Sequence, residues 1–178
     1  NKGLTIPIIY NTSAYETIGT LKLLNNKVDI YLPDLKYYSS NISQKYSNAP
    51  NYFKIATKAI EEMYNQVGSP QFNTEGIITK GLIVRHLILP GHIEDSKKIL
   101  KYLYDTYKNN IYISIMNQYT PVRTTPYPNL CRPLTKKEYN EVIDYAYNLG
   151  IRNAFVQDGE TSKESFIPIF TDSKQNKF

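Results

Sequence analysis

Short β-branched runs alternate with stretches of helical periodicity almost from the first residue. Residues 4–10 (LTIPIIY) predict a short buried strand, although Pro7 withdraws one ladder donor. Residues 15–24 read as a short helix with Thr12 or Ser13 as its cap, and residues 28–32 (VDIYL) as the next strand. After Pro50, the residues Phe53, Ala56, Ile60, Met63 and Tyr64 recur at the spacing of one helix face. Asn73-Thr74-Glu75-Gly76 predicts the turn of a small hairpin joining 70–72 to 77–79. Residues 82–89 (LIVRHLIL) form the most continuous apolar strand. Residues 94–107 follow as a helix with Ile99, Leu100, Leu103 and Tyr107 on one stripe, and 111–116 as another strand. Thr135-Lys136-Lys137-Glu138 is a capping box that opens a helix, Gly150 is placed to stop it, and 154–157 make a last strand.

Apolar strands alternating with amphipathic helices specify an α/β fold, with parallel strands inside and helices outside. Right-handed crossovers curl such a sheet into a partial (β/α) barrel, here carrying a small β-hairpin. A complete eightfold barrel takes about 250 residues, and this chain has 178. Lys2-Gly3 reads as the C-terminal stop of a helix feeding directly into a strand. The expectation is therefore a single domain over 1–178 that is truncated and lacks its first β/α units.

Composition narrows the function classes. The chain is 41% apolar and 21% charged, which suits one globular domain and excludes a disordered tail or a disulfide scaffold. No apolar run approaches the roughly 20 residues that cross a bilayer, so no membrane partner is expected. The single cysteine, Cys131, forms no internal disulfide and builds no metal site by itself, which suits a reducing cytoplasm. The net charge of +5 raises nucleic acid as a partner. Against it, Lys97-Lys98 and Lys136-Lys137 are interleaved with Glu94, Asp95, Glu138 and Glu141, a mixed solvated face rather than a basic stripe. Seventeen tyrosines and no tryptophan leave much of the aromatic packing to half-buried phenols.

Ligands of parallel β/α folds sit at the carboxyl ends of the strands, and those ends are polar here. They carry Asn11-Thr12-Ser13, then Asp34-Leu35-Lys36, then Arg85-His86 with Pro90-Gly91-His92, then Asn117-Gln118-Tyr119, and last Gln157-Asp158. For Thr12 and Ser13, capping of the next helix is an equal alternative. Residues two apart share a strand face, so Asp34 and Lys36 point into the mouth above Ile30 and Leu32, as ligand groups or as a structural ion pair. Arg85 shares the face of Leu87 and Leu89, where an inward arginine meets an anion or a carboxylate. His86 points toward the helices as a packing residue, and His92 falls in an exposed loop. The two histidines lack metal-site spacing. Phosphate-loop, dinucleotide and nucleophile-elbow motifs are missing.

Five stretches carry a family resemblance: residues 9–15 (IYNTSAY), 29–36 (DIYLPDLK), 84–91 (VRHLILPG), 114–119 (SIMNQY) and 156–160 (VQDGE). In order and placement they resemble the radical S-adenosylmethionine (SAM) superfamily, specifically the pyruvate formate-lyase activating enzymes and their relatives without an assigned substrate. The resemblance implies part of a (β/α)6 barrel. It also implies a 4Fe-4S cluster on three cysteines that binds SAM and cleaves it to a 5′-deoxyadenosyl radical. Asn11 stands where the family often has an aspartate, Thr12 matches, and Ser13 replaces an asparagine. Asp34 and Lys36 match its Asp-Leu-Lys, a contact region for SAM and substrate. Arg85 and Leu87 match the following strand, where an apolar side chain flanks adenine. Asn117, Gln118 and Tyr119 replace the family's Pro-Tyr-His. The implied partners are a glycyl radical enzyme or another protein substrate and an electron donor such as flavodoxin or ferredoxin.

The family's Cys-x-x-x-Cys-x-x-Cys loop has no counterpart among these residues, and one cysteine cannot supply three thiolates. The expectation is an enzyme in the parent protein and an inactive fragment here, with no catalytic residue assigned and no metal ligand in this stretch. The competing reading is a cluster-free β/α-barrel enzyme of the Schiff-base lyase or aldolase type, with Lys36 as the amine and Asp34 as its acid–base partner, or a sugar-phosphate binder. A tyrosine-rich module for single-stranded nucleic acid is a third reading, which predicts steep salt dependence.

Overall fold

In chain order the elements are β1 (Ile9–Thr12), α1 (Ile18–Lys22), β2 (Ile30–Pro33), α2 (Ser40–Ser47), α3 (Tyr52–Val67), β3 (Gln71–Phe72), β4 (Ile78–Leu87), α4 (Ile93–Tyr107), β5 (Tyr112–Met116), α5 (Lys136–Leu149) and β6 (Ala154–Val156). They come from a computed structural model that describes residues 3–121 and 125–157. The strands form one sheet in the order β1-β2-β4-β5-β6. All pairs along it are parallel, and β3 pairs antiparallel with β4 as the expected hairpin. This is an open α/β sheet flanked by helices, a partial β/α barrel that does not close. None of the described helices is long and apolar enough to cross a membrane.

Strand alternation gives the sheet two unlike faces. Tyr31, Leu82, Val84, Ile113, Ile115, Ala154 and Val156 point to the helices and join one buried cluster with Ile60, Met63, Leu100, Leu103 and Val142. The opposite face carries Ile9 and Asn11 of β1, level with Ile30 and Leu32 of β2. Arg85 of β4 lies there level with Ser114 of β5, and Ser114 level with Phe155 of β6. This second face is open at its β1 edge, where Ile9 is 57% exposed, while Ile30 and Ile83 on it are buried. At its lower end Phe72, Tyr112 and Phe155 form a row of rings with centroids 5.8 Å and 5.1 Å apart.

Several boundaries differ from the sequence reading. The first strand occupies Ile9–Thr12 rather than 4–10, and Leu4 and Ile6 are exposed. The reason is the partner. Asp29 and Ile30 both donate to the Ile8 carbonyl, β2 starts there, and Pro7 has no N–H to extend the ladder. The first helix is one turn long and is capped by Thr17, whose hydroxyl accepts from the Thr20 amide, not by Thr12 or Ser13. Helix α2 and the short 3-10 turn Pro128–Cys131 were not expected. The hairpin arm 77–79 and strand 82–89 merge into one strand through Gly81, whose φ is +139°. A Cβ at Gly81 would stand 2.8 Å from the Pro70 Cα. Elsewhere the reading holds: α3, α4 and α5 lie where periodicity puts them, the Thr135–Glu138 capping box is present, and Gly150 ends α5 in the left-handed conformation.

Candidate functional site

Strand β2 runs into Asp34, which bridges in register to Arg85 on β4. The Asp34 amide donates to the Thr12 carbonyl at 2.9 Å and the Leu35 amide to the Arg85 carbonyl at 2.8 Å, so the sheet continues this far on both sides. Alternation then brings the side chains together on the open face. Arg85 donates from Nε at 2.8 Å and from Nη2 at 2.7 Å to Asp34 Oδ1, while Lys36 Nζ lies 3.2 Å from Asp34 Oδ2. Asp34 is 9% exposed, whereas the Lys36 side chain keeps 39% of its surface in solvent. Two cations around one carboxylate leave a net positive charge at the carboxyl ends of adjacent parallel strands. Such an arrangement can attract an anionic group through the solvent-exposed Lys36 ammonium and the part of the Arg85 guanidinium not turned to Asp34.

The loops carrying these charges are joined by buried hydroxyls. Tyr52, the first residue of α3, is 3% exposed. Its hydroxyl proton is shared between the carbonyls of Asp34 at 2.8 Å and Ser13 at 3.0 Å, and its oxygen accepts the Lys36 amide at 3.2 Å. Burial pushes the Tyr52 phenol far above its ordinary value, so it stays protonated. Tyr139 of α5 does the same farther along the rim, donating to the Ile115 carbonyl at 3.1 Å and accepting the Gln157 amide at 2.7 Å. His86, on the helix face of β4, holds the Leu35 carbonyl through Nδ1 at 2.8 Å. The sequence reading missed Tyr52 and Tyr139. The one local signal was a tyrosine in the first turn of an amphipathic helix.

The other expected site residues divide. Asn11 is exposed on the open face. Thr12 is not at the mouth: alternation turns it to the helix side, where it is buried, donates to Glu16 and accepts the Ala14 amide at 3.1 Å. Ser13 is exposed and meets Tyr52 through its carbonyl. Leu87 is half-buried one alternation beyond Arg85. Asn117 donates its amide to Gln157 Oε1 at 3.0 Å, and Gln118 is exposed. Tyr119 is half-buried with its hydroxyl on the Leu130 carbonyl at 2.8 Å. His92 is not an exposed loop residue, because it is half-buried with Nε2 2.8 Å from the Tyr46 hydroxyl. Asp158, the 158–160 end of the last matching stretch, and Lys2 of Lys2-Gly3 lie outside the described residues.

A cavity of about 400 Å³ lies on the helix side, lined by Ser39, Ile42, His92, Asp95 and Lys98 among others. Of its two carboxylates, Glu94 pairs with Lys97, and Asp95 already accepts the amides of Tyr38 at 2.8 Å and Ser39 at 3.0 Å at the start of α2. Among the described residues no group of three His, Cys, Asp or Glu side chains could hold a metal ion. A three-thiolate cluster does not fit this chain, which has one cysteine. The charged rim does fit an anionic ligand.

No protein-family model matches the sequence. It is similar to an uncharacterized protein of Methanocaldococcus jannaschii, with 29% identity over 150 residues that cover 82% of this chain. The chain spans 40% of the length of that relative. In structure it is similar to a domain of pyruvate-formate lyase-activating enzyme from Bacteroides vulgatus, with a TM-score of 0.56 and 14% sequence identity over 83% of this chain and 79% of that one. The likeness is one of fold, an open parallel sheet flanked by helices that is shared with a domain of an activating enzyme.

Proposed function

We propose that these residues are the C-terminal part of a radical SAM enzyme of the activating-enzyme kind, and that Asp34, Lys36 and Arg85 receive the amino-acid end of SAM. The observation that carries this reading is the Arg85–Asp34–Lys36 cluster on the open face, in a fold shared with a domain of an activating enzyme. Arg85 and Lys36 would meet the SAM carboxylate, and Asp34 holds both cations in place while offering an acceptor to the SAM amine. Asn11, on the same face, would add an amide to the polar groups of the ligand, and Leu87 an apolar wall.

In this reading a 4Fe-4S cluster outside these residues would supply the electron for radical chemistry on SAM, and Arg85, Lys36 and Asp34 would hold the amino-acid end of that ligand. The cluster belongs, in this reading, to a cysteine motif of a longer parent protein, and the present chain is inactive alone. The implied substrate is a protein such as a glycyl radical enzyme, and the implied donor a flavodoxin or ferredoxin, in the reducing cytoplasm that suits the lone thiol. The Schiff-base alternative is disfavoured by the same geometry. Lys36 is paired as a cation with Asp34 and open to solvent, the reverse of the desolvated neutral amine that such chemistry uses.

Calorimetric titration of the chain with SAM tests this. Binding is expected, and Arg85→Met should weaken it by about tenfold, the size of one lost charge-assisted contact. Absence of SAM binding by the wild-type chain, or borohydride trapping of a carbonyl compound on Lys36, would overturn the reading.

A further inference from the structure

The sheet fixes Asp34 and Leu35 but not Lys36. Asp34 and Leu35 each donate to a neighbouring strand, whereas the Lys36 amide has left the ladder and donates to the Tyr52 hydroxyl. The same hydroxyl reaches across to Ser13, at the end of the preceding strand. We propose that Tyr52 is a positioning residue of the charged rim: its hydroxyl holds the Lys36 backbone against the loop after β1 and so sets where the Lys36 ammonium is presented. The proposal rests on the reading of the cluster as a ligand site and adds a residue to it.

The ring alone does not account for this placement. Tyr52 packs between Tyr15, stacked at 5.9 Å, and Tyr37, edge-on at 5.5 Å, and phenylalanine would serve that packing equally. What phenylalanine lacks is the hydroxyl, and its loss would leave the Lys36 amide and the Ser13 carbonyl without the partner that joins them. A hydroxyl also suits the task electrically. It can donate to two carbonyls and accept an amide at once, and its proton is retained across the whole working pH range because burial opposes the phenolate. The helix start makes this geometry possible. Asn51 precedes Tyr52 in the left-handed conformation with φ +57° and makes no side-chain cap, so the chain turns sharply and delivers Tyr52 to the rim.

The test uses the full chain and two readouts. Hydrogen exchange in the wild-type protein should show the Lys36 amide protected, and Tyr52→Phe should abolish that protection while leaving Leu35 protected. Tyr31→Phe, which loses a hydroxyl bonded to Gln66 away from the rim, should change neither. In SAM titrations, Tyr52→Phe should weaken binding by about tenfold. Combined with Lys36→Met it should weaken binding no further than Lys36→Met alone, because the two act through one group. A fast-exchanging Lys36 amide in the wild type would overturn the proposal without any variant, and so would full additivity of the two substitutions. Should the wild-type chain bind no SAM, the functional reading falls, and Lys36 exchange alone decides the role of Tyr52.

Discussion

His86 shows how much one buried group dictates. It is 1% exposed, Nδ1 holds the Leu35 carbonyl, and Nε2 has no hydrogen-bond partner among the described residues. Burial pushes its pKa below the ordinary value, and His92 is displaced in the same direction, again mainly by burial. Both histidines therefore take up a proton more readily in the unfolded chain than in the native one. Their contribution to stability is complete above about pH 6.5 and falls as pH drops below it, for the fully buried His86 by at most about 1.4 kcal/mol per pH unit. Urea unfolding at pH 7.5 and pH 5.5 should show the loss, and His86→Gln should flatten it. Equal stability at the two pH values would contradict the burial of the imidazole. At this scale the sequence was legible where alternation alone decides the outcome. Asp34, Arg85 and the helix-facing His86 followed from counting by twos along β-branched runs. Thr12 did not, because a cap and a strand residue look alike until the partner strand is known. Tyr52 was invisible for a related reason: what its hydroxyl touches depends on where α3 begins, and a left-handed Asn51 sets that.

Elements were legible to the extent that their signals were local. The capping box of α5 is a case in point, and the structure adds to it. Glu138 accepts the Thr135 amide at 3.0 Å, the Gly91 amide at 2.8 Å and both Arg132 Nη groups, at 2.7 Å and 2.8 Å. One carboxylate thus ties the start of α5 to the loop before α4. The Arg132 guanidinium, aided by these amides against a smaller opposing effect of burial, holds its pKa far below the carboxylate range. Its stabilisation is present above the unfolded value of about 4.3 and is lost as pH falls below that. Glu138→Ala should cost about 1–2 kcal/mol as half of a lost capping box, a fall of roughly 3–6 °C in melting temperature for a chain of this size. An unchanged melting curve would remove Glu138 from this role. Helix α2 is the opposite case. Its residues, SNISQKYS, are polar, and the amides at its start are received by Asp95, far along the chain in α4. No window of local sequence contains that partnership.

At the scale of the whole molecule, the order of apolar strands and amphipathic helices was enough to specify a parallel sheet with helices outside. The extent of curvature was not, because nothing in a strand pattern fixes how far a sheet closes. The resulting asymmetry has a measurable form. Strand β4 is paired on both sides, with β2 and β5, and carries the hairpin arm β3 as well, while β1 has β2 as its one partner among the described strands. Native-state hydrogen exchange should therefore be slowest in β2, β4 and β5 and fastest in the edge strands β1 and β6. Equal protection across the five parallel strands would argue against this pairing order.

Gly81 governs more than its own turn of the chain. The strand and the hairpin arm meet there main chain to main chain, with Pro70 filling the space where any other residue would carry a methyl group. A side chain at Gly81 would push the arm off the strand at this junction. The position of Phe72, and with it the row of rings shared with Tyr112 and Phe155, therefore depends on a residue that touches none of them, since a side chain at Gly81 would displace Pro70 two residues before Phe72.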